Sequence, residues 1–207
     1  MVPAGSRVLD LGCGEGRLLR LLQREKQTRG TGLEVDFASA QATLDGGCNV
    51  LLDALHDDQA TTEDGGLSLL PDDSFDIVVL SETLQVMKRP HLVIDEVLRV
   101  AGHAVVSFPN FGYLPTRLKL LLSGRMPKDR HLPYEWYDTP NIHLFTFKDF
   151  VDLCRREQIV IRKVRLLAST RLGRWLIGCG LANAGAERVI VHIERGRGAE
   201  HDEQLDG

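Results

Sequence analysis

The hydrophobic pattern of the chain switches repeatedly between two periods. Short, nearly continuous apolar runs end in glycine or acid, and each leads into a stretch with leucine or valine at helical spacing. SRVLDLGCGEG reads as a strand ending in glycines, and GRLLRLLQREK as the helix after it. TGLEVD and FASAQATLDGG repeat that unit, with glycines closing the helix, and NVLLDAL is a third strand. HDDQATTEDGGLSLLPDDS, acidic and containing Pro71, reads as a helix fragment and a surface loop before a fourth strand, FDIVVLSETL. PHLVIDEVLRVAG places Leu92, Val93, Val97, Leu98 and Val100 on one helical face and leads to a fifth strand, HAVVSFPN. In YLPTRLKLLLSG, Leu114, Leu118, Leu121 and Leu122 fall at i, i+4, i+7 and i+8, which predicts an amphipathic helix. TFKDFVDLCRREQ is a further helix, IVIRKVRLLA a sixth strand and AERVIVHIER a seventh.

Strands that alternate with helices and are apolar along their whole length belong to a parallel sheet covered on both faces. The expected fold is α/β and Rossmann-like: seven strands, mostly parallel, with helices on both faces. RLGRWLIGCGLANAG is broken by glycines and gives no clear crossover helix between the last two strands, so the last strand is expected to run antiparallel. One domain over residues 1–195 is expected, with 196–207, which has almost nothing to bury, as a disordered tail.

Composition narrows the class. With 207 residues, 43% hydrophobic and 26% charged, the chain matches an ordinary globular domain. No apolar run is long enough to span a bilayer and no signal-type segment opens the chain, so no membrane association and a cytoplasmic location are expected. Cys13, Cys48, Cys154 and Cys179 show neither paired spacing nor a zinc pattern, so packing thiols and no metal are expected. A formal net charge of -4 disfavours a nucleic-acid partner, although a basic run, Arg117, Lys119, Arg125, Lys128, Arg130 and His131, stands out locally. Such a run is either a solvated helix face or a contact for an acidic surface.

The candidate chemistry begins at DLGCGEG, Asp10 to Gly16, where the first strand meets the first helix. A glycine turn there lets a ligand approach the backbone, and the helix N-terminus offers unpaired N–H groups. Glu34, ending the second strand, stands where a ribose-binding acid belongs, with Asp36 competing for that role. Asp53 adds a carboxylate after the third strand. Asp10 and Asp53 also have plainer readings, as a turn cap and a solvated acid. The spacing of Gly12, Gly14 and Gly16 by two is not the GxGxxG of nicotinamide enzymes.

This pattern resembles class I S-adenosylmethionine-dependent methyltransferases. The resemblance implies that Asp10, Gly12, Gly14 and Gly16 form the first cofactor element, that Glu34 meets the ribose hydroxyls, and that Asp53 lies near the adenine. It also shows departures. The NPPY motif of many amino-group methyltransferases is absent after the fourth strand, where SETLQ stands, and no general base is evident. The first strand begins close to Met1, without preceding helices that would cover a cofactor, so residues 111–146 are expected to act as a lid or to bind a partner.

A narrower resemblance rests on VLDLGCGEG, LPDDSFDIVVLSETLQ, VVSFPNFG, LLLSGRMP and LPYEWYDTPNIHLFT in this order. Together they resemble the MetW family of methionine biosynthesis proteins. That likeness implies an accessory or regulatory subunit acting with a homoserine O-acyltransferase, MetX, and binding S-adenosylmethionine or S-adenosylhomocysteine. The alternative is a methyltransferase with a small-molecule acceptor. Tyr134, Trp136, Tyr137, Asn141 and His143 in the aromatic segment are the candidate lid or partner residues. The aromatics could instead anchor a long loop to the sheet, and His143 reads as a structural residue or a catalytic base.

Overall fold

The computed structural model describes residues 1–52, 66–128 and 134–196. In chain order the elements are β1 (Arg7–Leu11), α1 (Arg17–Lys26), β2 (Arg29–Glu34), α2 (Phe37–Asp45), β3 (Asn49–Leu52), β4 (Ile77–Ser81), α3 (Pro90–Ala101), β5 (His103–Pro109), α4 (Leu114–Ser123), α5 (Phe147–Arg156), β6 (Val160–Leu167), α6 (Arg171–Gly178), α7 (Ala182–Gly185) and β7 (Arg188–Glu194). One turn of 3-10 helix, Leu84–Val86, follows β4. The sheet order is β3-β2-β1-β4-β5-β7-β6. The first five of these strands run parallel, and β7 is antiparallel to both of its neighbours.

Alternation along the strands sends side chains to two faces. Leu9, Leu11, Val78 and Leu80 join Val97 and Leu98 of α3 and Phe150 of α5 in the larger core. Val8, Ile77 and Val79 pack with Leu22 of α1 on the opposite side. Both faces are therefore covered, which is why β1 and β4 read as unbroken apolar runs.

Three expectations need correction. β4 stops at Ser81 because Glu82 adopts a left-handed backbone, φ 59°, so Glu82 and Thr83 lie in a loop and Leu84 opens the 3-10 turn. The glycine-broken segment before β7 does form helices, α6 and α7. Its glycines bring the two backbones together: a Cβ on Gly173 would lie 2.7 Å from the Gly185 carbonyl oxygen. α4 forms where expected; it buries only Thr116 and leaves Leu118, Leu121 and Leu122 exposed. Cys13, Cys48 and Cys154 are buried, whereas Cys179 is exposed.

The loop after β5 is pinned by Asn110, which is buried. Its Nδ2 donates to the carbonyls of Asn183 (2.9 Å) and Ala186 (2.7 Å), and its Oδ1 accepts from the N–H groups of Gly112 and Phe147, each at 3.0 Å. All four hydrogen bonds of one amide are made, and they hold both ends of residues 111–146. At the far end Thr146 and Asp149 form a reciprocal capping box that starts α5.

Candidate functional site

Strand order reverses at β1, which has β2 on one side and β4 on the other. A crevice opens beyond the carboxyl ends of the strands at such a switch point. The glycine turn after β1 forms one wall. Gly12, Gly14 and Gly16 all have positive φ, at 74°, 54° and 72°. A Cβ on Gly12 would sit 2.8 Å from the Thr83 side chain, and one on Gly16 would sit 2.9 Å from that of Thr43. Gly14 differs: a Cβ there would meet nothing within 4 Å. Two of the glycines therefore admit protein neighbours, while Gly14 presents bare backbone to open space.

Glu34 closes the turn from β2. Its Oε2 accepts from Gly14 N at 2.6 Å and its Oε1 from Val35 N (2.9 Å) and Asp36 N (3.1 Å). A carboxylate has about four acceptor positions, so roughly one, on Oε2, is left for a ligand. Asp36, exposed at the start of α2, serves as its N-cap: its carboxylate accepts from Ser39 N at 2.8 Å.

Asp10 is 1% exposed, and its Oδ1 has no hydrogen-bond partner. Burial, and secondarily the charge of Glu34, push its carboxyl up to about 7. The plainer role of turn cap is not what the geometry shows, since no turn N–H reaches that oxygen. An orphaned buried acceptor beside open backbone fits a ligand that brings a donor.

Two hollows meet here. One of about 350 Å³ is lined by Asp10, Gly12, Cys13, Gly14, Glu15 and Ser81 among others. The second, of about 220 Å³, is lined by Gly12, Glu34, Val35, Ser81, Glu82, Thr83, Val86 and Met87. They share Gly12 and Ser81, as an elongated ligand crossing the switch point would require.

Sequence reasoning missed the far wall, the loop after β4. Thr83 Oγ1 donates to the Leu11 carbonyl at 2.8 Å, which locks this loop to the end of β1. The Glu82 carboxylate is 2.8 Å from the Arg188 guanidinium. The Gln85 carbonyl accepts from the N–H groups of both Ile142 and His143, each at 3.0 Å. The wall of the crevice is thereby joined to the aromatic segment. Only the quoted SETLQ pointed to these residues, and nothing local marked Thr43.

Of the expected site residues, Asp10, Gly12, Gly14 and Glu34 come together in the crevice, and Gly16 caps α1 behind it. Asp53 lies outside the described residues, as do Arg130, His131 and residues 197–207 of the tail. His143 lines a separate hollow of about 330 Å³ with His91, Phe145 and Phe150, and its Nε2 is 3.3 Å from the Lys88 carbonyl oxygen. Asn141 is half-buried, with its N–H on Thr139 Oγ1 at 3.1 Å. Trp136 and Tyr137 are 76% and 71% exposed and stack edge to face at 5.6 Å, and Tyr134 is half exposed, so they do not anchor the loop to the sheet. Among the described residues no group of His, Cys, Asp and Glu could hold a metal ion, and no helix is long and apolar enough to cross a membrane.

The sheet order, the antiparallel β7 and a glycine turn at the switch point define the class I S-adenosylmethionine-dependent methyltransferase fold. Solved structures agree. A methyltransferase from Mesorhizobium loti superposes with TM-score 0.63 at 19% identity, covering 93% of this chain and 92% of that one. The [4+2]-cyclase SpnF gives 0.62 at 16% identity, covering 94% and 76%. At such identities the likeness is one of fold, and a cyclase among the neighbours separates fold from reaction. The chain itself belongs to the MetW family: the model described as methionine biosynthesis protein MetW matches residues 1–190. A curated relative, the bifunctional methionine biosynthesis protein MetXA/MetW of Rhodopirellula baltica, is 37% identical over 171 residues. The match takes in 78% of this chain but only 26% of that protein.

Proposed function

We propose that this chain binds S-adenosylmethionine or S-adenosylhomocysteine in the crevice and acts as an accessory subunit of a homoserine O-acyltransferase. The observation that carries the cofactor reading is Asp10: a buried acceptor without a partner, beside the open backbone of Gly14 and one remaining acceptor position on Glu34. Asp10 and Glu34 would accept from donors of the ligand, and Gly12 and Gly14 would let it lie against the backbone. The cofactor, when bound, would supply an electrophilic methyl group or serve as a signal of methionine supply. The partner reading rests on the relative whose printed name joins MetXA to MetW in one protein. The Gln85 link supports a regulatory role, since ligand in the crevice would contact the loop that holds Ile142 and His143.

A second reading, methyl transfer to a small acceptor, is favoured by Glu82. A non-glycine residue held at φ 59° on the lip of a hollow is the kind of strained position that gathers at active sites. Calorimetry with S-adenosylmethionine and S-adenosylhomocysteine tests the crevice, and no heat from either at millimolar ligand would refute it. Acyl transfer to homoserine, with and without this chain, tests the partnership; a rise on addition supports it, and formation of S-adenosylhomocysteine with a metabolite would instead favour the second reading.

A further inference from the structure

α4 and the loop after it carry a surface that the crevice does not use. Leu121 and Leu122 are 78% and 81% exposed, and Met126 and Trp136 lie open in the neighbouring loop. Lys119 Nζ donates to the Lys128 carbonyl at 2.6 Å, which holds that loop back along the helix. Behind these residues is a hollow of about 420 Å³ whose described walls include Phe111, Met126, Pro127, Tyr134, Trp136 and Leu144. That volume falls in the range in which proteins seat ligands, and aromatic and apolar residues around a pocket are the makings of a binding hot spot.

Charge around this surface is mainly positive, with exposed Asp138 as its opposing carboxylate besides Glu135. Arg117, Lys119, Arg125 and Lys128 are exposed here on a chain of net charge -4. Glu135, a carboxylate lining the hollow, is already paired with Lys128 at 2.5 Å. The occupant is therefore to be acidic around an apolar centre. A second copy of this chain is a poor match, because an isologous interface would bring these cations against their own equivalents. An anionic membrane is also a poor match: among the described residues the four cations are dispersed and one is neutralised, a weak polybasic cluster, and a lipid surface has no use for a shaped hollow.

We infer that the exposed face of α4, with the hollow bounded by Met126 and Trp136, is the docking site for a folded protein that inserts apolar side chains from within an acidic rim. The inference rests on the accessory-subunit reading, so that partner is the acyltransferase, and it places the contact outside the cofactor crevice. Association depends on α4 for its apolar anchor and on Arg117 and Arg125 for steering.

The test is binding of the full chain to its cognate homoserine O-acyltransferase, measured by light scattering after gel filtration and by a surface-binding titration at several salt concentrations. The double variant Leu121→Glu with Trp136→Ala is expected to weaken association at least ~100-fold, with an unchanged melting temperature and unchanged S-adenosylmethionine binding. Arg117→Glu with Arg125→Glu, which leaves the apolar centre intact, is expected to slow association and flatten its salt dependence. If wild type binds and both variants bind equally well, the docking site is wrong while the accessory reading stands. If wild type does not bind at micromolar concentration, both fall. Dimerisation, or capture by phosphatidylserine vesicles, that the first variant abolishes would overturn the choice of occupant.

Discussion

The crevice at β1 and β4 and the open face of α4 are built on opposite principles. In the crevice nearly every group is committed before a ligand arrives: Glu34 holds three N–H groups, Thr83 holds the end of β1, and Gly12 and Gly16 sit hard against threonines. Among the described residues that line it, Asp10 Oδ1 is buried without a partner. On α4 the surplus is apolar, with whole leucine side chains in water and only Thr116 buried. A preorganised polar site recognises a small ligand by completing one or two missing hydrogen bonds. An uncovered apolar face recognises a protein by removing area from water. The loop after β4 is tied through the Gln85 carbonyl to Ile142 and His143, further along the segment that begins with α4.

Asn110 offers the strongest way to break this comparison, because it fastens the open region to the rigid one. Asn110→Ala would leave two carbonyls and two N–H groups unpaired in a buried place, at 1–3 kcal/mol each before relaxation. A loss of about 5 kcal/mol is expected, read as a fall in the urea midpoint. A loss below about 1 kcal/mol would mean that residues 111–146 are not held by the sheet at all.

Asp10 gives the next largest effect, and it depends on pH. A carboxyl raised to about 7 when folded holds its proton more tightly than in the unfolded chain, near 3.8. Its contribution to stability is therefore fully present below about 4 and is lost as pH rises through about 7. The ceiling of that change is about 4 kcal/mol at 1.36 kcal/mol per pH unit. The ligand-free protein should melt lower at pH 8 than at pH 6, and Asp10→Asn should remove most of the difference while weakening ligand binding. An unchanged pH profile in Asp10→Asn would show that the buried oxygen does not set the crevice's electrostatics.

Glu34→Ala is expected to weaken S-adenosylmethionine at least ~100-fold by calorimetry, about 2.7 kcal/mol, while leaving association with the acyltransferase in the absence of cofactor intact. Loss of both together would mean that the two regions are one site.

How far the sequence went follows the same division. The crevice was legible where its chemistry is local: Asp10, the glycine turn and Glu34 stand at the ends of consecutive strands, and the strands announced themselves as unbroken apolar runs. Its other half was not legible. Thr43 and Thr83 meet the glycines only because α2 and the loop after β4 fold back on the turn, and nothing in QATLD or SETLQ marks such a contact. The antiparallel β7 could be inferred from a missing crossover, although α6 and α7 do fill that gap, since Gly173 and Gly185 serve close helix packing. On α4 the period was legible and the exposure was not. Periodicity shows that a helix has an apolar face, and it does not show what covers that face.

That gap supplies the finest test of the comparison. Leu→Ala at a core position costs about 2–5 kcal/mol, because transfer free energy and a cavity are both lost. Leu121→Ala and Leu122→Ala at exposed sites create no cavity and gain slightly in helix propensity, so each should stay within about 0.5 kcal/mol of wild type in urea. The pair should weaken acyltransferase binding all the same. A loss above about 2 kcal/mol in the isolated chain would show that another part of the same chain covers these leucines. The face would then be core, and no partner would be needed to explain it.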